Sequence, residues 1–290
     1  MAASEPLFAL IADGVMEREN GGEVVVPWWS FTKTLIAAAV LRLADLGEVE
    51  LDDVVEDRRF TIRQVLRHEA GLADYGGLAA YHEAVASGAT PWPVDEMLAR
   101  TAADRLAFPP GRGWAYSNIG YFWLRQRVEQ GRGDFAVALK ELVLAPLGLS
   151  QARVAVTPGD LEGVRMGAST GYHPGWVYHG LVVGPLREAA EALDRLMDGD
   201  LLSAQSLTAM HQATPLPQFA RPPWALPAYG LGLMIPRTQS GVTVHGHTGG
   251  GPGSVVAVYR DGAARRSVAV FASGDDAAAV EGPAAVLLEP

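Results

Sequence analysis

The 290-residue chain contains no cysteine. That absence excludes a disulfide framework, a thiol nucleophile and thiolate metal sites together. Lysine is almost missing as well: Lys33 and Lys140 are the only two among 23 basic residues, with 23 − 2 = 21 arginines. Where a position needs only positive charge, this chain uses arginine, so its two lysines merit inspection: lysine can lose its proton in a protein and arginine cannot. Basic residues are also in deficit against 33 acidic ones, giving a net charge of −10. Nucleic acid and anionic membrane surfaces are poor partners for such a chain, because binding phosphates takes clustered Lys and Arg. Long apolar runs are absent too. The longest, Leu35 to Leu41, is far short of the ~20 residues that span a bilayer. The opening residues Met1-Ala2-Ala3-Ser4-Glu5-Pro6 carry no positive segment followed by an apolar one. A cytoplasmic location is therefore the expectation.

What is present describes an ordinary globular protein. Hydrophobic content of 49% and charged content of 19% suffice for one large core or two modest ones. Leu7 to Ala12 and Val24 to Val26 read as short strands around the turns Asp13-Gly14 and Gly21-Gly22. From Ser30 to Gly47 the spacing is helical, with Ser30 placed to serve as N-cap and Gly47 as terminator. Helical patterns recur at Thr61 to Arg67, Val94 to Leu106, Asn118 to Glu129, Asp134 to Leu144, Leu186 to Met197 and Ser203 to Gln212. The tail turns β-branched at Leu231 to Ile235, Val242 to His245, Ser254 to Tyr259 and Ser267 to Phe271. This order predicts an α/β sheet closed by both termini, residues 1–29 and 165–290, with a mainly helical part over 30–164 and a cleft between them.

Three short motifs could carry chemistry. In Ser30-Phe31-Thr32-Lys33 the serine and lysine share one helix face, where the dipole favours developing negative charge. A desolvated lysine can be neutral there and take the hydroxyl proton; an N-cap serine with a snorkelling lysine fits the same residues. Tyr116-Ser117-Asn118 follows the turn Pro110 to Trp114. It offers a phenol that can share a proton and an amide that can hold a carbonyl, but taken alone a core Tyr116 with Asn118 as helix cap is the favoured reading. Gly246-His247-Thr248-Gly249-Gly250 lies between two expected strands. Its glycines let a substrate approach backbone amides, unless the stretch is simply a glycine-rich hairpin.

Taken in order, these motifs resemble those of the serine beta-lactamase and penicillin-binding-protein superfamily, nearest to its class C beta-lactamase, DD-peptidase and family VIII carboxylesterase branches. Val65 to Leu72, Pro109-Pro110-Gly111 and Ala145 to Leu149 resemble further blocks of that family, and the likeness runs from Val24 to Phe271. It implies a beta-lactamase-like fold: an antiparallel sheet flanked by helices with a mainly helical insertion. It implies Ser30 as acylated nucleophile, Lys33 and Tyr116 as its proton-transfer pair, and Asn118 as a substrate contact. His247, Thr248, Gly249 and Gly250 would line the substrate, and the backbone amides of Ser30 and Gly250 would form the oxyanion hole. His247 stands where many beta-lactamases carry lysine, which weakens a fixed cation for a substrate carboxylate. The serine also comes early in the chain, so an N-terminal element usual in the family is expected to be shortened.

Rival sites are weaker. Gly167-Ala168-Ser169-Thr170-Gly171 has the spacing of a nucleophile elbow, but Tyr172-His173-Pro174-Gly175 cannot start the helix an elbow requires. His245 and His247 would share a strand face, with no third ligand at useful spacing, so no metal or cofactor is expected. His68, His82, His173, His179 and His211 read as structural or surface residues. Trp29 and Trp114 are candidates to line an apolar acyl pocket. The expected activity is hydrolysis of small esters or amides through an acyl-enzyme on Ser30, with weak beta-lactamase or D-amino-acid peptidase activity. The competing expectation is an inert binding or regulatory protein on the same scaffold.

Overall fold

The structure is a computed structural model that describes residues 5–55, 59–167, 169 and 171–289. Met1 to Ser4, which bear on the reading of the N-terminus, and Ala168 and Thr170 of the elbow-like motif lie outside the described residues.

Strands β1 (Leu7–Ala12) and β2 (Val15–Asn20) form a hairpin through Asp13-Gly14, both at positive φ. Three short strands follow, β3 (Val25–Pro27), β4 (Arg153–Ala155) and β5 (Leu181–Pro185), and they make one antiparallel ladder in the order β3-β5-β4. The strand pairs β6 (Thr214–Pro215) with β8 (Ala228–Tyr229), and β7 (Trp224–Leu226) with β9 (Arg237–Thr238), are minor. The long strands β10 (Val244–Gly251), β11 (Ser254–Asp261) and β12 (Arg266–Ser273) complete a five-stranded antiparallel sheet, ordered β10-β11-β12-β1-β2. Leu10 faces Val268 across the β1–β12 pairing, so the first and last strands of the chain are neighbours at the centre of the sheet.

Both faces of this sheet are covered, which explains its sequence. Alternate residues point to opposite sides of a strand. Ala9, Ile11, Val256, Val258, Ala269 and Phe271 face the large core with helices α1 (Thr32–Asp45) and α7 (Leu186–Asp198). Leu10, Val255, Ala257, Val268 and Val270 face a second cluster beneath the C-terminal helix Ala278–Leu288. Two apolar faces turn β1, β11 and β12 into largely continuous apolar runs rather than alternating ones. α7 is also held by a buried ion pair, Arg260 with Asp194, to which Ser267 Oγ donates at 2.7 Å.

The helical part holds α2 (Ile62–Leu66), α3 (Ala79–Ala86), α4 (Val94–Arg100), α5 (Asn118–Glu129) and α6 (Phe135–Leu139), with α8 (Ala204–His211) further along. α1 runs through the middle of the molecule, buried all round from Thr32 to Leu41. Several expectations need correcting. Ser30 is not the N-cap of α1: it sits inside a single 3₁₀ turn, Trp29–Phe31, and Phe31 occupies the cap. Ser117, not Asn118, caps α5, accepting from Gly120 N at 3.0 Å. The helix expected over Val94 to Leu106 ends at Arg100, and Leu231 to Ile235 forms isolated bridges rather than a strand. The C-terminal helix and β5 were not foreseen. Among the described residues, no helix is long and apolar enough to cross a membrane.

Candidate active site

The turn before α1 forces its own geometry. Trp29 adopts φ +40, a conformation that costs a non-glycine residue ~1–3 kcal/mol and persists only where the surroundings impose it. They do so here on both sides. Trp28 N donates to Val182 O at 2.8 Å, and Val182 N donates to Thr32 Oγ1 at 3.1 Å, so β5 clamps the turn from behind. In front, Trp29 Nε1 donates to Ser254 Oγ at 3.1 Å and its ring meets Tyr172 edge-on. Ser30 is thereby turned out of the helix and into a cleft of about 870 Å³.

One helical turn later Lys33 is fully buried. Its Nζ lies 3.2 Å from Ser30 Oγ, 2.7 Å from Asn118 Oδ1 and 3.1 Å from His179 Nε2. Burial brings the amine from 10.5 down to about 7, against the opposing pull of the Asp74 carboxylate. Tyr116 behaves differently. Burial lifts its phenol well above the ordinary 10, and a hydrogen bond with Ser30 offsets only part of that rise. The neutral amine is therefore the one group beside Ser30 that can accept a proton near neutral pH, while Tyr116 is a protonated donor at rest. Asn118 is held by its backbone, which donates to Asp74 Oδ1 at 2.8 Å. Ser117 Oγ donates to Ala73 O at 2.6 Å and ties the same two segments together.

The glycine motif is not a hairpin tip. It lies within β10, the edge strand of the large sheet. A Cβ on Gly249 would stand 2.5 Å from Ser30 N, and one on Gly251 would meet the Trp29 ring at 2.4 Å. Only glycine lets this strand pass so close to the serine turn. Gly250 lines the cleft beside Ser30.

His247 and Thr248 are not among the residues that line that cleft. His68 Nδ1 accepts from Ser117 N at 3.1 Å, so its proton sits on Nε2, directed at Tyr229 Oη 3.2 Å away. Tyr229 in turn faces His247 Nε2 at 3.1 Å, and His247 Nδ1 donates to Thr248 O at 2.7 Å. Both nitrogens of His247 are thus occupied. Burial, aided by the charge on Lys33, lowers its basicity to about 3, so it carries no charge at neutral pH. Thr248 Oγ1 points to the other side of the sheet and donates to Glu281 Oε1 at 2.8 Å. Trp114 also lies elsewhere, packed against His68, Tyr229 and Phe219 behind the site.

The cleft wall is aromatic: Trp29, Tyr75, Tyr81 and Tyr172 line it together with Val85 and Val177. Among its described lining residues, Asp275 is the only carboxylate, and none is a lysine or arginine. Sequence reasoning missed His179 and the Tyr75 to Tyr81 wall. His179 is a lone histidine in a loop, 146 residues from Lys33 along the chain, and no local spacing marks it. His68 is structural, as expected: it is buried and links Ser117 N to Tyr229 Oη. Ser169 lines the rim of the cleft, but no strand precedes Gly167, and the next helical turn is a three-residue piece at Pro174–Trp176. Among the described residues, the strand–turn–helix of an elbow is absent. His245 does not pair with His247; its ring lies 4.6 Å from that of His211.

The Beta-lactamase family model matches residues 12–289. Esterase EstB of Burkholderia gladioli is 32% identical over 163 residues, covering 48% of this chain and 41% of the relative, so the alignment spans less than half of that protein. The D-amino acid amidase of Ochrobactrum anthropi SV3 superposes with a TM-score of 0.81 at 22% identity, covering 97% of this chain and 93% of that one. A D-stereospecific amidohydrolase from a Streptomyces species superposes at 0.78 with 22% identity, over 98% and 94% of the two chains. At these identities the two structures speak for the beta-lactamase-like fold alone.

Proposed function

The chain belongs to the Beta-lactamase family, and from that premise we propose that it is a serine hydrolase that forms an acyl-enzyme on Ser30 and cleaves small esters or amides. The observation that carries this reading is the buried Lys33 amine, near neutrality at about 7 and 3.2 Å from Ser30 Oγ. Ser30 Oγ attacks the substrate carbonyl as its proton passes to Lys33 Nζ. The new Oγ–C bond forms, the bond to the leaving group breaks, and the proton is handed to the departing oxygen or nitrogen, with Tyr116 as the neighbouring donor. Water then attacks the acyl group and restores Ser30. The backbone amides of Ser30 and Gly250 are the candidate donors to the oxyanion, which forms where the helix dipole of α1 also favours negative charge.

Substrate preference follows from the charges. His247 presents neither a charge nor a free N–H to the cleft, and no arginine or lysine is among the described residues lining it. A substrate carboxylate buried here would lose water without gaining a lysine or arginine to pair with. Neutral esters or amides with an apolar or aromatic acyl group suit the wall of Trp29, Tyr75, Tyr81 and Tyr172. Penicillins and peptides with a free carboxyl terminus suit it poorly, so beta-lactamase and D-amino-acid peptidase activity should be weak. Steady-state hydrolysis of a neutral aryl butyrate and of the matching aryl hydrogen succinate tests both parts. We expect kcat/KM at least ~10-fold higher for the neutral ester, a difference of ~1.4 kcal/mol, and no turnover by Ser30→Ala. Preference for the succinate, or full activity in Ser30→Ala, refutes the proposal.

A further inference from the structure

His179 is set with unusual care for a loop residue. Arg125 Nη1 donates to Tyr178 O at 3.0 Å, and Gly180 N donates to Val177 O at 2.7 Å. Gly180 takes φ +100, and a Cβ there would stand 2.4 Å from the Phe135 ring. The backbone is therefore fixed on both sides of an imidazole that is itself buried. Its Nε2 lies 3.1 Å from Lys33 Nζ and its Nδ1 3.4 Å from Tyr75 Oη.

We propose that His179 is a positioning residue for the base: His179 Nε2 and Asn118 Oδ1 each take one N–H of the neutral Lys33 amine, which leaves its lone pair facing Ser30 Oγ. The inference rests on the reading of Ser30 as nucleophile and Lys33 as base. A primary amine has two N–H bonds and one lone pair, and Lys33 Nζ has three polar neighbours. Two acceptors leave one direction for the lone pair, and that direction holds the hydroxyl. Once the proton has moved, the ammonium has three N–H bonds and the same three partners, so the transfer needs no rearrangement. An ammonium only donates, so Nε2 must be the unprotonated nitrogen and the His179 proton lies on Nδ1, toward Tyr75. Burial, reinforced by the charges of Lys33 and Arg125, holds His179 well below the ordinary 6.5, so it does not compete for the serine proton.

The groups facing Lys33 besides Ser30, Asn118 and His179 are few. They are the Asp74 carboxylate, the rings of Tyr116 at 4.9 Å and Tyr121 at 5.8 Å, and the neutral imidazoles of His68 and His247. None of them replaces the His179 contact as an acceptor.

The test is single-turnover acylation by a neutral activated aryl ester from about pH 5 to about pH 9. It compares wild type, His179→Leu, His179→Gln and His179→Asn, with melting curves for each. A Gln amide reaches where Nε2 does; an Asn amide stops at the level of Nδ1. For Leu and Asn we expect a plateau ~10²-fold lower. Their acid limb should move down by about one pH unit, because the ammonium has lost a partner. Gln should restore the limb and most of the plateau. If Leu folds poorly, the contrast between Gln and Asn carries the same test. An unmoved limb with equal plateaus in Gln and Asn overturns the role of His179. Turnover surviving in Ser30→Ala instead overturns the underlying assignment of nucleophile and base.

Discussion

Replacing Lys33 by methionine should stabilise the protein while ending its chemistry. Lys33 is wholly buried, and desolvation has brought its amine from 10.5 to about 7. An unfolded lysine keeps its proton up to about 10.5, whereas the folded one releases it near 7. Between those values the unfolded state binds more protons, so stability rises with pH. Below about 7 both states are protonated and the whole cost of burying the ammonium is present; above 10.5 it has vanished. At ~1.4 kcal/mol per pH unit that cost is ~5 kcal/mol. Methionine is of similar length and carries no charge, so it escapes the cost. It also removes the donor to Asn118 Oδ1 and His179 Nε2, a loss of ~1–3 kcal/mol. At pH 6 Lys33→Met should therefore be more stable by ~2–4 kcal/mol, and the advantage should shrink and then reverse as pH approaches 10. Urea unfolding at several pH values measures this through the midpoints, with the slope m confirming a common two-state transition. Other titrating groups are shared by the two chains and largely cancel. A variant less stable than wild type at pH 6, or a difference that does not change with pH, refutes the reasoning.

Other perturbations separate the elements of the site. Ser30→Ala should lower ester turnover on the order of 10⁶-fold, while Ser169→Ala at the cleft rim should stay within a few-fold of wild type in the same assay. Gly249→Ala forces a Cβ to 2.5 Å from Ser30 N, so the acylation rate measured by stopped flow should fall by ~10² or more. Wild-type acylation in a folded Gly249→Ala would show that β10 does not shape the site. Tyr229→Phe leaves the His68 Nε2 proton and His247 Nε2 without their shared partner. The urea midpoint should drop by the equivalent of ~1–3 kcal/mol; an unchanged midpoint would mean that the histidine chain adds nothing to stability.

The elements most legible in the sequence were those whose burial is one-sided or complete. Asn118–Glu129, Leu186–Asp198 and Ala204–His211 follow helical apolar spacing, and β11 and β12 are β-branched runs between turns. Their periodicity survives because one core contact decides each position. β5 was missed because Leu181–Pro185 is only five residues long and ends on Gly184-Pro185, too short a run to show a strand period. The C-terminal helix escaped notice because it is short and carries Pro283 inside it. Within the site, Ser30, Lys33, Tyr116 and Asn118 stand out as paired spacings, and scarcity drew attention to Lys33. The contacts of His179, Tyr75 and Asp74 are long-range products of the fold, and nothing local foretells them. Strand direction decided the rest. Thr248 sits one residue from Gly249, yet its side chain faces Glu281 because successive strand residues point to opposite sides. The buried Lys33 amine has three partners at close range, so a larger, permanently charged guanidinium at position 33 would be costly to the fold itself as well as to the chemistry.

Mapping the adduct of a fluorophosphonate tests the acyl-enzyme assignment most directly. Trypsin cuts after Arg18 and Lys33, so Ser30 falls in the peptide Glu19 to Lys33 as its only serine, whereas Ser169 falls in Met166 to Arg187. Intact mass should rise by one phosphonyl group, and fragment ions should place it on Ser30, with labelling rising with pH through about 7 as Lys33 loses its proton. An adduct on Ser169, or no adduct at any pH at which the protein stays folded, would contradict the assignment.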